Sequence, residues 1–212
     1  MHVVIFAGGV VQPGRAVDAA VARADMVIAA DSGAATALHY GIVPAYIVGD
    51  LDSLDEQALA DARERGSQVI PAQPEKDETD TELALLVALE HGATEITLLG
   101  ALGGSRIDHA LANVLLLAGF ETIPIRILDG ETTCWLLRGP GKASIEGQQG
   151  DTLSLLPLTA SAEGVQTTGL YYPLRGETLT FGRPRGVSNV LTGQRAEVSL
   201  ERGLLLLVHT AS

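Results

Sequence analysis

The sequence predicts an α/β N-terminal domain with a mainly parallel sheet, residues 1–129, followed by an all-β sandwich C-terminal domain, residues 130–212. Three observations carry this reading. Short apolar runs alternate with helical segments up to about Asp129. Helical periodicity stops there. Short strand-like runs, closely punctuated by Gly and Pro, then fill the remainder.

In the first half, Val3–Ala7, Met26–Ala30, Tyr46–Val48, Gln68–Ile70, Ile96–Leu99 and Ile125–Leu128 read as strands buried on both faces, because they are continuously apolar rather than alternating. Candidate helices lie between them, near Gly14–Ala24, Ala34–Tyr40, Asp55–Arg65, Thr79–Glu90 and Asp108–Ala118. Asp55 suits the start of the third and Thr79 or Asp80 the start of the fourth, while Gly66 and Gly92 stand where helices stop. The apolar stretch Ala110–Phe120 is shorter than the ~20 residues of a membrane span and reads as a buried helix.

In the second half the expected strands are Thr132–Leu137, Ala143–Ile145, Thr152–Leu155, Glu163–Thr167, Glu177–Phe181, Ala196–Leu200 and Leu204–His209. Turns rich in Gly and Pro separate them, as at Arg138-Gly-Pro-Gly141 and Gly182-Arg-Pro-Arg-Gly186.

The 212 residues carry a net charge of −12, with only 14 Lys and Arg. Nucleic-acid binding needs clustered cations, so that class is excluded. A polyphosphate partner remains compatible, provided a divalent cation sits between carboxylates and ligand oxygens. One cysteine, Cys134, excludes an intrachain disulfide and a cysteine-based zinc site, and suits a reducing cytoplasm. The opening MHVVIFAGGVVQPG lacks a cationic start and is broken by glycines, so it reads as a first strand and not as a signal peptide. No membrane partner is expected.

In open parallel sheets ligands bind beyond the carboxyl ends of the strands. Four of those ends carry chemistry: Gly8-Gly9 after the first strand, Asp31-Ser32-Gly33 after the second, Gly49-Asp50-Leu51-Asp52-Ser53 after the third, and Gly100 to Gly104 with Arg106, Asp108 and His109 after the fifth. Asp50 and Asp52, at i and i+2, can share a hard cation such as Mg²⁺; helix capping by Asp52 is the competing use. Asp77 and Asp80 sit with Glu75 and Glu78 in a second acidic cluster, whose mutual repulsion a cation would relieve; capping competes here too. Gly103 and Gly104 allow backbone N–H groups to approach phosphates at a helix N-terminus, and Arg106 adds a guanidinium. His109 either touches substrate or is a structural residue of the first helical turn, and Asn113 lies one turn beyond it. Together these suit a transfer reaction that needs positioning and charge neutralisation. A Walker-type loop is lacking, which excludes the P-loop kinases.

Four blocks resemble the thiamine pyrophosphokinase family: residues 29–54, AADSGAATALHYGIVPAYIVGDLDSL; residues 75–85, EKDETDTELAL; residues 100–117, GALGGSRIDHALANVLLL; and residues 167–189, TTGLYYPLRGETLTFGRPRGVSN. The resemblance implies transfer of the diphosphate of ATP to thiamine with release of AMP. It also implies Mg²⁺ as cofactor, ATP as co-substrate, and a homodimer holding thiamine between domains of two subunits. By matching position it places Asp50 and Asp52 at the metal, with Asp77 or Asp80. Gly8, Gly9, Ser32, Gly33, Thr79, Gly103, Gly104, Arg106, His109 and Asn113 fall near ATP. Asp31, Asp80, Ser188 and Asn189 fall near thiamine. Asp50, Asp52, Asp80 and Asp108 form the catalytic set, with Asp80 or Asp108 as proton acceptor. Trp135, Tyr171 and Tyr172 are candidates to stack on the thiamine ring, although Trp135 also suits the sandwich core.

The chain departs from the family pattern at several points. Ser32 replaces a common glycine and Ala45 a usual aspartate. Leu83 stands where many members carry lysine, with Lys76 as a substitute cation, and Ser105 is an extra residue ahead of Arg106. Two rival readings stand beside the family: a Mg²⁺-dependent phosphatase using Asp50 as nucleophile, and a non-catalytic thiamine or nucleotide sensor, which Leu83 favours.

Overall fold

The computed structural model describes residues 1–51, 56–73 and 75–212. The expected cap Asp55, and Asp52 with it, lie outside the described residues. The chain divides into two compact units, Met1–Gly130 and Glu131–Ser212.

The first unit runs β1 (His2–Phe6), α1 (Arg15–Ala22), β2 (Met26–Ala30), α2 (Gly33–His39), β3 (Tyr46–Gly49), α3 (Glu56–Glu64), β4 (Gln68–Pro71), α4 (Asp80–Glu90), β5 (Glu95–Leu99), α5 (Ile107–Leu116) and β6 (Ile125–Asp129). The strands are parallel, in the order β6-β5-β1-β2-β3-β4. β1 is buried along its whole length, as a central strand covered on both faces must be. α4 lies against β1, β2 and β3 and buries Thr81, Ala84, Leu85, Val87 and Ala88.

Two expectations are corrected here. β4 is not buried on both faces: Gln68 and Pro71 are exposed and Val69 and Ile70 half-buried. It is the edge strand, with a neighbour on one side only. α5 is not a buried helix either. Ile107, Leu111 and Leu115 are 76%, 58% and 59% exposed, and Asn113 is its buried residue. Apolar composition alone says that a helix needs cover, not what supplies it. No helix among the described residues is long and apolar enough to cross a membrane.

The second unit is antiparallel throughout. It comprises β7 (Thr132–Arg138), β8 (Gly141–Glu146), β9 (Thr152–Pro157), β10 (Ser161–Thr168), β11 (Arg175–Thr180), β12 (Asn189–Val190), β13 (Arg195–Leu200) and β14 (Leu204–Thr210). One sheet has the order β12-β9-β14-β7, the other β11-β10-β13-β8. Leu137, Leu153, Leu155, Leu205 and Leu207 of the first meet Ile145, Ala162, Val165, Leu179 and Val198 of the second in one apolar core. Alternation along β9 and β13 puts these side chains inward and their neighbours out. Trp135 is half-buried and packs against this core. The short β12 has no counterpart in the expected strands, since two residues carry no period.

Asp151, 2% exposed, ties the end of β14 to the start of β9. It accepts from Gln148 N–H at 2.8 Å, from Ser212 N–H and Oγ–H at 3.0 and 3.1 Å, and lies 3.1 Å from His209 Nε2. Burial opposes its ionisation, but these hydrogen bonds outweigh burial and hold the carboxyl below its ordinary value. A depressed folded-state value means that the stabilisation is present above about pH 4 and lost as pH falls through the folded value. Asp151→Ala should therefore lower the urea-unfolding free energy at pH 7 by about 1–3 kcal/mol. The gap from the unsubstituted protein should narrow below about pH 4; an equal gap at both pH values would assign the effect to packing instead.

Candidate active site

The strand order reverses between β5 and β1, the place at the carboxyl edge where open α/β sheets receive their ligands. Main-chain contact draws the loops after these two strands together. Ala7 N–H donates to Leu99 O at 2.8 Å and Gly9 N–H to Gly100 O at 3.0 Å. A Cβ on Gly9 would stand 2.2 Å from Gly103 O, and one on Gly103 would stand 2.1 Å from Val10 O. These two glycines are therefore needed for the loops to touch each other, before any ligand is considered. Gly104, at φ 110°, is less confined: a Cβ there would stand 4.0 Å from Gly9 Cα.

Beside this contact lies a cleft of about 740 Å³ lined by Gly8, Gly9, Ser32, Thr36, His39 and Tyr40, among others. That volume lies in the range of small-molecule pockets. Ser32 Oγ–H donates to Gly8 O at 3.3 Å, tying the loop after β2 to the loop after β1. Thr36, His39 and Tyr40 were missed by sequence reasoning; their signal is the helical spacing from Ser32, which brings one face of α2 round to the cleft.

The acids lie along the same edge. Asp31 follows β2 at φ 48° and donates its N–H to Val48 O at 2.8 Å, and its Cβ lies against Gly49. Asp50, exposed, follows β3 directly, and Leu51 follows at φ 65°. Asp31, Leu51 and Ser188 are the non-glycine residues with positive φ among the described residues. All three fall in the segments singled out from sequence, as expected where backbone strain accompanies a functional site.

Asp80 opens α4, and Thr79 caps it: Thr79 Oγ1 accepts from Glu82 N–H at 3.2 Å. Lys76, with only 16% of its side chain exposed, makes an ion pair with Asp80. The direction of Lys76, open in the sequence, is thus towards Asp80. Asp77 is exposed. Among the described residues no group of three or more His, Cys, Asp or Glu side chains is gathered to hold a metal. The donor set nevertheless fits Mg²⁺. It consists of hard carboxylate oxygens, Asp31 and Asp50 stand on adjacent strand ends, and Mg²⁺ takes one or two carboxylates with water and phosphate, not a full protein cage.

After β5, Arg106 and Asp108 pair with each other through Nε–Oδ1 at 3.0 Å and Nη2–Oδ2 at 2.7 Å, both side chains well exposed. Hydrogen bonding from Arg106 holds the Asp108 carboxyl well below the usual carboxylate range. His109 is exposed at the start of α5. Asn113 is buried, and its Nδ2–H donates to Ala101 O at 2.9 Å, so it supports the loop from within.

In the second unit, Tyr171, Tyr172, Pro173, Arg185, Val187 and Asn189 line much of a cleft of about 420 Å³. Ser188 is exposed, at φ 56°, with its N–H donating to Ser154 Oγ at 3.0 Å.

An acidic, glycine-lined strand edge in a parallel α/β unit, joined to a β-sandwich with its own cleft, defines a two-domain enzyme of the group-transfer class. Residues 17–127 match the thiamin pyrophosphokinase catalytic domain, and residues 142–205 match the thiamin pyrophosphokinase vitamin B1 binding domain. The chain is 35% identical over 190 residues to the thiamine pyrophosphokinase of Bacillus subtilis, covering 86% of each. It is also similar to the crystal structure of thiamine pyrophosphokinase from Bacillus subtilis, with TM-score 0.88 at 31% identity over the whole of both chains. A thiamin pyrophosphokinase structure from Geobacillus thermodenitrificans gives 0.85 at 28% identity, covering 100% of this chain and 98% of that one. The chain belongs to the thiamin pyrophosphokinase family.

The loop contact gives a test of the cleft's construction. Gly9→Ala should force the β1 and β5 loops apart, costing about 1–3 kcal/mol of stability and weakening ATP binding by isothermal titration. Unaltered affinity and unfolding would mean that the loops part freely.

Proposed function

We infer that this enzyme transfers the β,γ-diphosphate of ATP to the hydroxyethyl oxygen of thiamine and releases AMP, with Mg²⁺ as cofactor. The observation that carries the reading is the match of both family domains, in order, to the two units. The thiamine hydroxyl oxygen forms the new bond to the β-phosphorus while the bridge to the α-phosphate breaks. AMP departs with that bridging oxygen, and the hydroxyl proton passes to a carboxylate.

The roles assigned to residues belong to this proposal. Gly8, Gly9 and Ser32 border the nucleotide at the cleft, Gly33 is buried against the β1 main chain behind them, Thr79 lies close to the nucleotide, and Gly103 and Gly104 shape the phosphate loop. Arg106 supplies a guanidinium to the phosphates, Asp108 orients it, and His109 and Asn113 support the same segment. Asp50, Asp52, Asp77 and Asp80 would hold Mg²⁺, with Asp31 alongside. When bound, the ion would neutralise charge developing on the phosphate oxygens. Asp108 is a poor proton acceptor while its two oxygens serve Arg106, which favours Asp80 for that task. Lys76 keeps Asp80 oriented and supplies the cation that Leu83 does not. For thiamine, Asp31 and Asp80 are the candidates of the first unit and Ser188 that of the second, where Asn189 lies in the same segment and Tyr171 or Tyr172 offers a face for the cationic ring.

A homodimer is proposed as well. The exposed row Ile107, Leu111 and Leu115 on α5 supports it, since such a row on a surface marks an interaction face. The cytoplasm is the proposed compartment, in keeping with the single cysteine.

The first measurement is AMP release from ATP and Mg²⁺, with and without thiamine, together with thiamine diphosphate formed. Thiamine-dependent AMP in equal amount is expected, abolished by a chelator and restored by Mg²⁺. Inorganic phosphate without AMP would revive the phosphatase; tight thiamine binding without turnover would revive the sensor. Asp50→Asn should leave the fold intact and lower kcat by roughly 10²–10³-fold, the scale of losing one preorganised electrostatic group; near-normal AMP release would remove Asp50 from the site. Leu111→Lys should shift the protein towards monomer in light scattering, and an unchanged mass would place the dimer contact elsewhere.

A further inference from the structure

Asn189, 8% exposed, spends its amide on the main chains of Tyr172 and Val190. Its Oδ1 accepts from Tyr172 N–H at 3.0 Å, and its Nδ2–H donates to Tyr172 O at 2.7 Å. The same Oδ1 accepts from Val190 N–H at 3.0 Å. Both main-chain groups of Tyr172 are thus taken by a side chain, as a paired strand would take them. The pairing continues towards Gly169 and Thr192, with Tyr171 N–H donating to Val190 O and Thr192 N–H to Gly169 O, each at 2.9 Å. Both oxygen lone pairs and one of the two amide hydrogens are committed, which leaves one hydrogen on a buried group. An amide engaged in this way is poorly placed to read a ligand by itself.

What it holds is a turn bearing two large rings. Tyr171 and Tyr172 are each 66% exposed and meet edge to face, with centroids 4.8 Å apart and planes at 84°. Both line the second unit's cleft beside Pro173 and Val187, where Arg185 pairs with Glu177 at 3.7 Å. Exposed rings on an untethered turn would sample many orientations, and a ligand would have to restrict them on binding.

We propose that Asn189 is a positioning residue that acts on thiamine through Tyr171 and Tyr172, by holding their turn in the conformation that receives the ligand's cationic ring. This rests on the reaction proposed above. Asn189→Ala should raise the KM for thiamine about tenfold, the order expected when a contact is misplaced and not deleted, while kcat and the KM for ATP stay within about twofold. In the thiamine-free protein, amide hydrogen exchange across residues 170–174 should quicken at least about tenfold. Asn189→Gln keeps the amide's donor and acceptor but sets them one methylene further out, so it should fall between the two and serves if the alanine variant folds poorly.

A double-mutant cycle decides the route. On a Tyr171→Ala, Tyr172→Ala background, Asn189→Ala should add less than about twofold to the KM for thiamine, because its effect passes through those rings. Additive losses would show direct contact and overturn the proposal, as would unchanged exchange in residues 170–174. If the unsubstituted protein released no thiamine-dependent AMP, the proposed reaction would fail, and unchanged exchange would then be the separate result that removes the positioning role.

Discussion

The contact between the loops after β1 and β5 is the constraint on which the catalytic unit depends. Two main chains meet there at a distance that admits no Cβ on Gly9 or Gly103. The contact lies at the point where strand order reverses, beside the cleft that Gly9 lines. Ser32 then ties the loop after β2 to the same place, and Asn113 supports the loop after β5 from beneath. Loops joined in this way have little freedom left, so the groups they carry are positioned before a ligand arrives. Preorganisation of this kind suits diphosphate transfer, in which the protein supplies geometry and charge compensation and little covalent chemistry.

The same economy governs the charges. An acidic protein with a row of carboxylates on one edge would repel a polyphosphate, yet cations of its own accompany two of those acids. Lys76 pairs with Asp80, and Arg106 pairs with Asp108. The second pair is fully exposed, so screening leaves it little worth for stability; its worth lies in orienting a guanidinium. The positive-φ residues Asp31 and Leu51 lie between these groups, where strain is tolerated because neighbouring strands hold the ends in place.

Asparagine plays one role in both units. Asn113 and Asn189 are buried, and each spends its amide on main-chain groups of a loop at a candidate site. A motif residue of this kind is easily taken for a ligand contact, because a recurring polar residue beside a site suggests one. Its hydrogen-bond partners, not its position in the motif, separate support from contact.

Much of this protein was determined by its sequence alone. Continuous apolar runs became the buried parallel strands, since only a strand covered on both faces tolerates such a run. The change of rhythm near Asp129 became the change from a parallel sheet to antiparallel ones. The acids and glycines after β1, β2, β3 and β5 were legible because parallel strands deliver their carboxyl ends to one edge. Tertiary structure decided the rest. β4 is an edge strand and α5 carries an exposed apolar row; periodicity reports a face, while its cover depends on what folds against it. Thr36, His39 and Tyr40 reach the cleft because α2 turns one face towards it. Gly9 and Gly103 serve each other, and Asn189 serves Tyr172. These are pairings between residues far apart in the chain, and local sequence carries no record of which partner a long-range contact will find.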